Sequence, residues 1–433
     1  MKPSAATAER SSGAFASLRH PQYRWLWTSN LFFFLAMMGQ SSVVRPWLVL
    51  ELTDNHVAFG ATAFAVALPM LILAPLGGVI GDRYERRGLI MFGQAAIVAS
   101  ELVLLGLLWF DRLRFWHLLV GTFGMGMMFP FIMPARQAIV ASIVGRDGLS
   151  NAMALSMAGM NACRVVGPFV SASLISTLGI KWAYTLGVLG YLLGWVFLLP
   201  VDRTHVAASA RAVSIARGIQ EGASYLVGHR LVLALLVFGL LPMLLAMPFQ
   251  TLLAVFAHDV WDAGASGLGW LQAATGLGGI AGSLYVARTA QRHDRLRRML
   301  ASVIAFGLLL LTFSQSPTLW LGLPLVFFSG AFSNVFQTLN NSAIQMLIPD
   351  EVRSRVSSFL MMSFSLPLLG TLPLSALSEL QGPRRAIATA SCLAILVSVA
   401  FYALVRPLRR LDAEMERASN GVPVMVPRVL PTP

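Results

Sequence analysis

The chain has 433 residues, 56% of them hydrophobic and only 12% charged, with a mean hydropathy of +0.70. Ordinary globular domains carry about a quarter charged residues, so a soluble enzyme or binding module is excluded. The net charge of +13 raises nucleic-acid binding, but the basic residues collect in short segments on one side of successive apolar runs. Membrane orientation by positive charge requires that pattern, and no nucleic-acid partner is expected.

The apolar runs reach roughly 20 residues, enough to cross a bilayer as helix. They lack the alternation of a barrel strand, and a spanning backbone must satisfy itself internally. The expected class is therefore an all-α integral membrane protein. The N-terminal arm, residues 1–23, ends in Arg19-His20-Pro21 and shows no short apolar core with a cleavage site, so the first run is expected to stay as an anchor. Spans follow at 24–50, 58–81, 88–110, 115–136, 150–177 and 181–200. After a polar linker, 201–228, come 229–257, 264–287, 299–315, 318–346, 355–379 and 385–405, and a tail from 406 to 433. Twelve transmembrane helices thus form two six-helix bundles, 24–200 and 229–405. With both termini cytoplasmic, only Arg112, Arg114, Lys181, Arg384 and Arg385 of the 32 basic residues fall in outer loops, while Arg45, Arg136 and Arg164 lie inside spans.

In chain order, span 1 carries Gln40, Ser41 and Ser42 and then Arg45 in its outer third. Between spans 2 and 3 runs Gly77-Gly78-Val79-Ile80-Gly81-Asp82-Arg83-Tyr84-Glu85-Arg86-Arg87-Gly88. Glu101 stands near the middle of span 3, and Arg136 and Arg164 well inside or near the inner ends of spans 4 and 5. Ionisable groups in hydrocarbon cost at least about 2.5–3.5 kcal/mol each unless paired or wetted, so each is a site candidate. Against that, Arg136 can snorkel inward and Arg45 outward, and Arg164 can pair with Glu101 or with backbone carbonyls. Three embedded cations against one embedded anion leave positive charge unmatched. Span 5 also holds Gly167-Pro168, a packing kink or part of a glycine motif.

The linker is expected to hold a short amphipathic helix near 212–225, and the tail beyond Arg406 to lack fixed structure. The second half repeats the first in worn form. Gly278-Gly279-Ile280-Ala281-Gly282-Ser283 echoes Gly77-Gly78, with Ser283 where Asp82 stands. The offset that lays Pro134-Ala135-Arg136 over Leu339-Asn340-Asn341 also lays Arg45 over Gln250. Duplication of this kind is a signature of secondary transporters. Amides replace charges here: Gln250 in span 7, and Asn334, Gln337 and Asn341 on one face of span 10. Such a stripe faces protein or water, and helix-to-helix hydrogen bonding is its plainer account.

Twelve spans, a central linker and the charged loop resemble the major facilitator superfamily over nearly the whole length. Gly78, Asp82, Arg83, Arg86 and Arg87 fit its loop motif, with Glu85 in place of the usual second glycine. Trp47-Leu48-Val49-Leu50-Glu51-Leu52-Thr53, Pro134-Ala135-Arg136-Gln137-Ala138 and Asn161-Ala162-Cys163-Arg164-Val165-Val166-Gly167-Pro168 are similar to the enterobactin-type and multidrug efflux branch. The resemblance assigns the loop to gating between inward-open and outward-open forms. It lines the cavity with spans 1, 4, 7 and 10, which favours Gln40, Arg45, Arg136, Gln250, Asn334, Gln337 and Asn341 as substrate-binding residues. Glu101 and Arg164 are then proton-coupling or structural charges.

The expected function is secondary active transport: proton-coupled export of small amphipathic or anionic compounds of the drug or siderophore type, by alternating access. An importer or lipid carrier of the same fold, or a non-transporting membrane sensor, is the alternative. No P-loop, His-Glu-x-x-His or triad spacing is present, so neither an enzyme nor ATP-driven transport is expected. Cys163 and Cys392 fall within spans, and the seven His residues sit at span ends or loops without a ligand-like grouping. No metal or cofactor is expected, and the partners are a small-molecule substrate, the proton and the bilayer. The resemblance implies a monomer in the bacterial inner membrane.

Overall fold

A computed structural model describes residues 15–53, 55–203, 215–289, 294–348 and 365–419 of the chain. Among these, all regular structure is helical, as a backbone that must satisfy its hydrogen bonds in hydrocarbon requires. The first half supplies α1 (Pro21–Leu52), α2 (Val57–Arg83), α3 (Arg86–Trp109), α4 (Phe115–Gly145), α5 (Gly148–Leu178) and α6 (Ile180–Val196). The linker helix α7 (Ile215–Gly228) covers the expected position from residue 215 on, and residues 212–214 lie outside the described residues. The second half supplies α8 (Arg230–Val260), α9 (Gly264–Arg288), α10 (Arg295–Ser314), α11 (Leu319–Leu347), α12 (Leu366–Gln381) and α13 (Pro383–Leu404). Nine described helices are long and apolar enough to cross a membrane. The other three in these two sets, α6, α9 and α12, stand where spans 6, 8 and 11 are expected.

Contacts divide the chain into two compact units. One comprises Met1–Leu52 and Ile72–Ala212, the other Thr53–Leu71 and Val213–Pro433. The start of α2 therefore belongs with the second half, although the rest of that helix belongs with the first. In the first unit the core gathers Tyr23, Leu26, Phe33, Ile90, Ile97, Ile132 and Tyr191. In the second it gathers Leu235, Phe238, Met299, Phe336 and Ile344.

The duplication read from sequence has a physical counterpart inside each unit. A Cβ on Gly77 would strike the carbonyl of Pro130, and one on Gly278 the carbonyl of Phe327. In both units the glycine lets the second helix lie backbone-to-backbone on the fourth. Gly179, at φ 89, turns α5 into α6, and Gly382, at φ 83, turns α12 into α13. Only a residue without a Cβ adopts that backbone freely, so each turn needs a single residue.

Two expectations are corrected, and one departure from the loop motif is explained. Span 4 runs to Gly145 rather than to 136, where a backbone at φ 68 breaks it from α5. The charged loop needs no second glycine, because Glu85 has φ −60 and its carboxylate accepts the Gly88 N–H at 2.9 Å, capping α3. The described part of the tail has fixed structure: a turn at Arg406–Arg410 leads into α14 (Leu411–Ser419). Leu408 and Leu411 are fully buried in the second unit's core, each worth about 1.5–3 kcal/mol on burial. Asp412 Oδ1 accepts the Arg295 and Leu296 N–H groups at 3.0 and 3.3 Å. It thereby serves two orphan donors of α10 from a distant part of the chain. Asp412→Ala should cost about 1 kcal/mol, as loss of an N-cap does, and lower the thermal midpoint in detergent. An unchanged midpoint would show that the contact contributes nothing.

Candidate functional site

Embedded polar groups of the first unit form two networks. Just before Arg45, the turn Gln40–Val44 of α1 widens to π geometry, which rotates the succeeding turns relative to a regular helix. Arg45, 4% exposed, consequently points into its own bundle. It forms an ion pair with Glu101 Oε1 and donates to Met125 Sδ at 3.1 Å. Tyr184 donates to the other oxygen of Glu101 at 2.7 Å. Gln40 donates to the Tyr184 carbonyl at 3.2 Å. The sequence-based options of an outward-snorkelling Arg45 and an Arg164–Glu101 pair are both corrected, because Glu101 is occupied by Arg45 and Tyr184.

The second network centres on Arg136, 3% exposed. Because α4 continues past it, the guanidinium is held away from the helix end and does not snorkel. It donates to Asn30 Oδ1 on α1 and to Gln94 Oε1 on α3, and lies 4.5 Å from the centre of the Phe33 ring. Gln94 in turn donates to the Tyr191 carbonyl on α6 at 3.1 Å. No carboxylate among the described residues forms an ion pair with Arg136. Its partners are neutral dipoles and a π face, which orient the cation without cancelling its charge. Arg164 is half-buried on α5. Nearby, Gly167 meets the Leu35 carbonyl at 2.8 Å from where its Cβ would be, so α1 and α5 touch through backbone.

Of the charged loop, Arg86 donates to the Ala138 carbonyl at 3.2 Å and to Ser142 Oγ at 2.5 Å on α4. Arg87 donates to the Leu199 carbonyl after α6 at 2.8 Å. Both therefore act as struts within the first unit. Gly78, Asp82 and Arg83 lie in α2, with their side chains outside the described set.

In the second unit α8 is interrupted between Leu245 and Phe249, after Pro242 has removed a backbone donor. A small cavity of ≈ 10 Å³ opens there among Met243, Met247, Phe306, Ser333 and Gln337. Ser333 donates to Met247 Sδ at 3.5 Å, and Gln337 to Ser333 Oγ at 3.4 Å. Asn334 Oδ1 accepts from Ser283 at 2.8 Å, bringing α9 to α11 at the worn copy of the loop motif. Gln250 is half-buried, its amide 4.0 Å from Met247 Sδ, and Asn341 is exposed. The polar face of α11 thus mixes helix-to-helix bonds at Asn334 with groups open to solvent at Asn341. Asn30, Gln94 and Tyr184 do not stand out as site candidates from sequence. The first two are readable on the same ground as Gln40, a polar residue inside an apolar run. For Tyr184 no such signal exists.

The sequence matches the transmembrane secretion effector family over residues 12–429. Among curated proteins it is 22% identical over 403 residues to the staphyloferrin A transporter of Staphylococcus aureus, covering 92% of this chain and 99% of that one. It is 27% identical over 341 residues to the enterobactin exporter EntS of Shigella boydii, covering 78% and 80%. It is 27% identical over 389 residues to the multidrug efflux pump Tap of Mycolicibacterium fortuitum, covering 86% and 93%. The fold is similar to that of the nucleoside transporter NupG, at TM-score 0.71 and 14% identity over 89% of this chain and 99% of that one. A bacterial homologue of the lysosomal transporter Spinster gives TM-score 0.66 at 12% identity, over 91% and 98%. With a helical multi-pass fold and a family match over nearly its whole length, the chain belongs to the transmembrane secretion effectors of the major facilitator superfamily, and is a secondary transporter rather than an enzyme.

Proposed function

We propose that the protein exports small amphipathic compounds bearing negative charge or strong hydrogen-bond acceptors, of the drug or siderophore type, in exchange for protons. The carrying observation is the imbalance of embedded charge in the first unit. Arg45 and Glu101 cancel each other, whereas among the described residues Arg136 bonds to amide oxygens and faces the Phe33 ring, with no carboxylate partner. A guanidinium cannot shed its proton to escape this cost. Its field therefore favours a substrate that brings a compensating anion. The second unit offers hydrogen-bonding amides at Gln250 and Gln337, beside the polarizable side chain of Met247, and an exposed amide at Asn341. Such walls repack around varied shapes. Export, rather than import, is supported by the exporter and efflux names of the relatives.

The same reading assigns 24–200 and 229–405 as the two six-helix halves, with both termini in the cytoplasm of a bacterial cell and the carrier acting as a monomer. Gly78, Asp82, Arg83, Arg86 and Arg87 form its gating loop, in which Arg86 and Arg87 brace α3 against the rest of the first unit. Glu101, with both oxygens engaged and 1% exposed, serves as a structural charge rather than a proton carrier.

Two measurements in proteoliposomes test this reading. For a carboxylated substrate and its neutral amide, wild type should favour the acid by about tenfold in KM, a difference of about 1.4 kcal/mol. Arg136→Gln should lose that preference and Arg136→Lys keep it. A loss shared equally by both compounds would show that Arg136 does not read charge. Imposing an inward proton gradient should accelerate efflux, and adding substrate should move protons the opposite way. Flux indifferent to the gradient would remove proton exchange.

A further inference from the structure

Outside both networks, a histidine joins the start of α2 to the ends of two helices of the second half. His56 Nε2 lies 3.1 Å from Asp259 Oδ2, at the end of α8. The His56 backbone N–H donates to Glu379 Oε2 on α12 at 2.7 Å, and its Nδ1 lies 3.9 Å from the same oxygen. Ser378 Oγ is 3.1 Å from Nδ1. Asp259 holds a second imidazole with its other oxygen, His258 Nδ1 at 2.6 Å. Among the described residues, these are the titratable and polar groups that face His56 from α8 and α12. All belong to the unit that takes in Thr53–Leu71 together with the second half. An independent contact lies one turn further along α2: a Cβ at Gly60 would stand 2.5 Å from Leu372 Cα, so α2 and α12 meet there through backbone.

Among the described residues, Thr53–Leu71 meets the second half through a close helix contact at Gly60 and through a cluster whose strength depends on protonation. The His56 side chain is 21% exposed, and those of Asp259 and Glu379 are 38% and 41% exposed, so water reaches the cluster. A charged imidazole attracts both carboxylates, whereas a neutral one leaves the two anions facing each other across it. Histidine is the side chain that ordinarily makes this change between about pH 5 and 8.

We propose that His56 is a proton-binding site at the membrane end opposite the termini, and that proton binding latches the start of α2 onto the ends of α8 and α12. The latch is firm on the acidic side and weakens as pH rises through the range in which histidine discharges. Because α2 continues into the first unit, release of its start frees the segment to follow the rest of its helix. Protons on that face of the membrane therefore hold the carrier in the form described here. The proposal is independent of what the carrier exports.

The test uses the full chain in nanodiscs, with Cys163 and Cys392 replaced by Ala and spin labels at Val57→Cys and Leu380→Cys. At about pH 5.5 a single short distance should dominate, and at about pH 8.5 a longer one should grow by about tenfold in population. His56→Gln should abolish that pH dependence, Asp259→Asn and Glu379→Gln should each diminish it several-fold, and His258→Gln should retain most of it. Thermal midpoints establish that each variant is folded. A wild-type distribution unchanged across this range, or an unchanged response in folded His56→Gln, would overturn the proposal.

Discussion

The ion pair between Arg45 and Glu101 organises the first unit. Separately, a guanidinium and a carboxylate in hydrocarbon each cost several kcal/mol, and their attraction offsets this only if the remaining valences are also filled. Met125 and Tyr184 fill part of them, from α4 and α6. One interaction therefore fixes the relative positions of α1, α3, α4 and α6. The π turn at Gln40–Val44 immediately precedes Arg45, whose side chain points inward to Glu101. Arg136 repeats the solution one layer away using neutral partners on α1 and α3. The difference between these two answers to one problem is what gives the unit a net field.

The two halves share architecture and divide their chemistry. Glycines at Gly77 and Gly278 and at Gly179 and Gly382 perform the same steric work in each, so the backbone repeat has outlasted the side-chain repeat. Where the first unit embeds charges, the second embeds amides and methionines. Where the first has Asp82 after its glycines, the second has Ser283, which bonds to Asn334 instead. Among the described residues the second unit's amides impose a smaller burial cost than an embedded charge, with Gln250 and Gln337 half-buried and Asn341 open to solvent.

Much of this is legible in the sequence, because hydrocarbon allows few solutions. Run lengths locate the helices, and embedded charges and amides mark the polar networks. Pairing is not legible. Whether Glu101 takes Arg45 or Arg164 depends on side-chain directions across the bundle that hydropathy does not register. The full length of α4 escapes a sequence reading because Arg136 resembles the basic end of a span, although its helix runs on to Gly145. The order in residues 406–419 escapes it too, because a charged composition does not reveal Leu408 and Leu411 docking into a core, or Asp412 capping a helix far away in sequence. The His56 cluster is invisible for a simpler reason: its members lie hundreds of residues apart, each an ordinary polar residue at a helix end.

Embedded charge in the first unit is framework first, and the rest of its chemistry is built on that framework. A double-mutant cycle in detergent tests this most directly, using Arg45→Met, Glu101→Met and the pair together, with thermal midpoint and folded yield as readouts. Removing one partner should cost on the order of 3–5 kcal/mol by stranding the other charge, while the double variant should recover most of that loss. Single variants that fold like wild type and lose only transport would contradict the claim, and would place the pair on the path of substrate or proton.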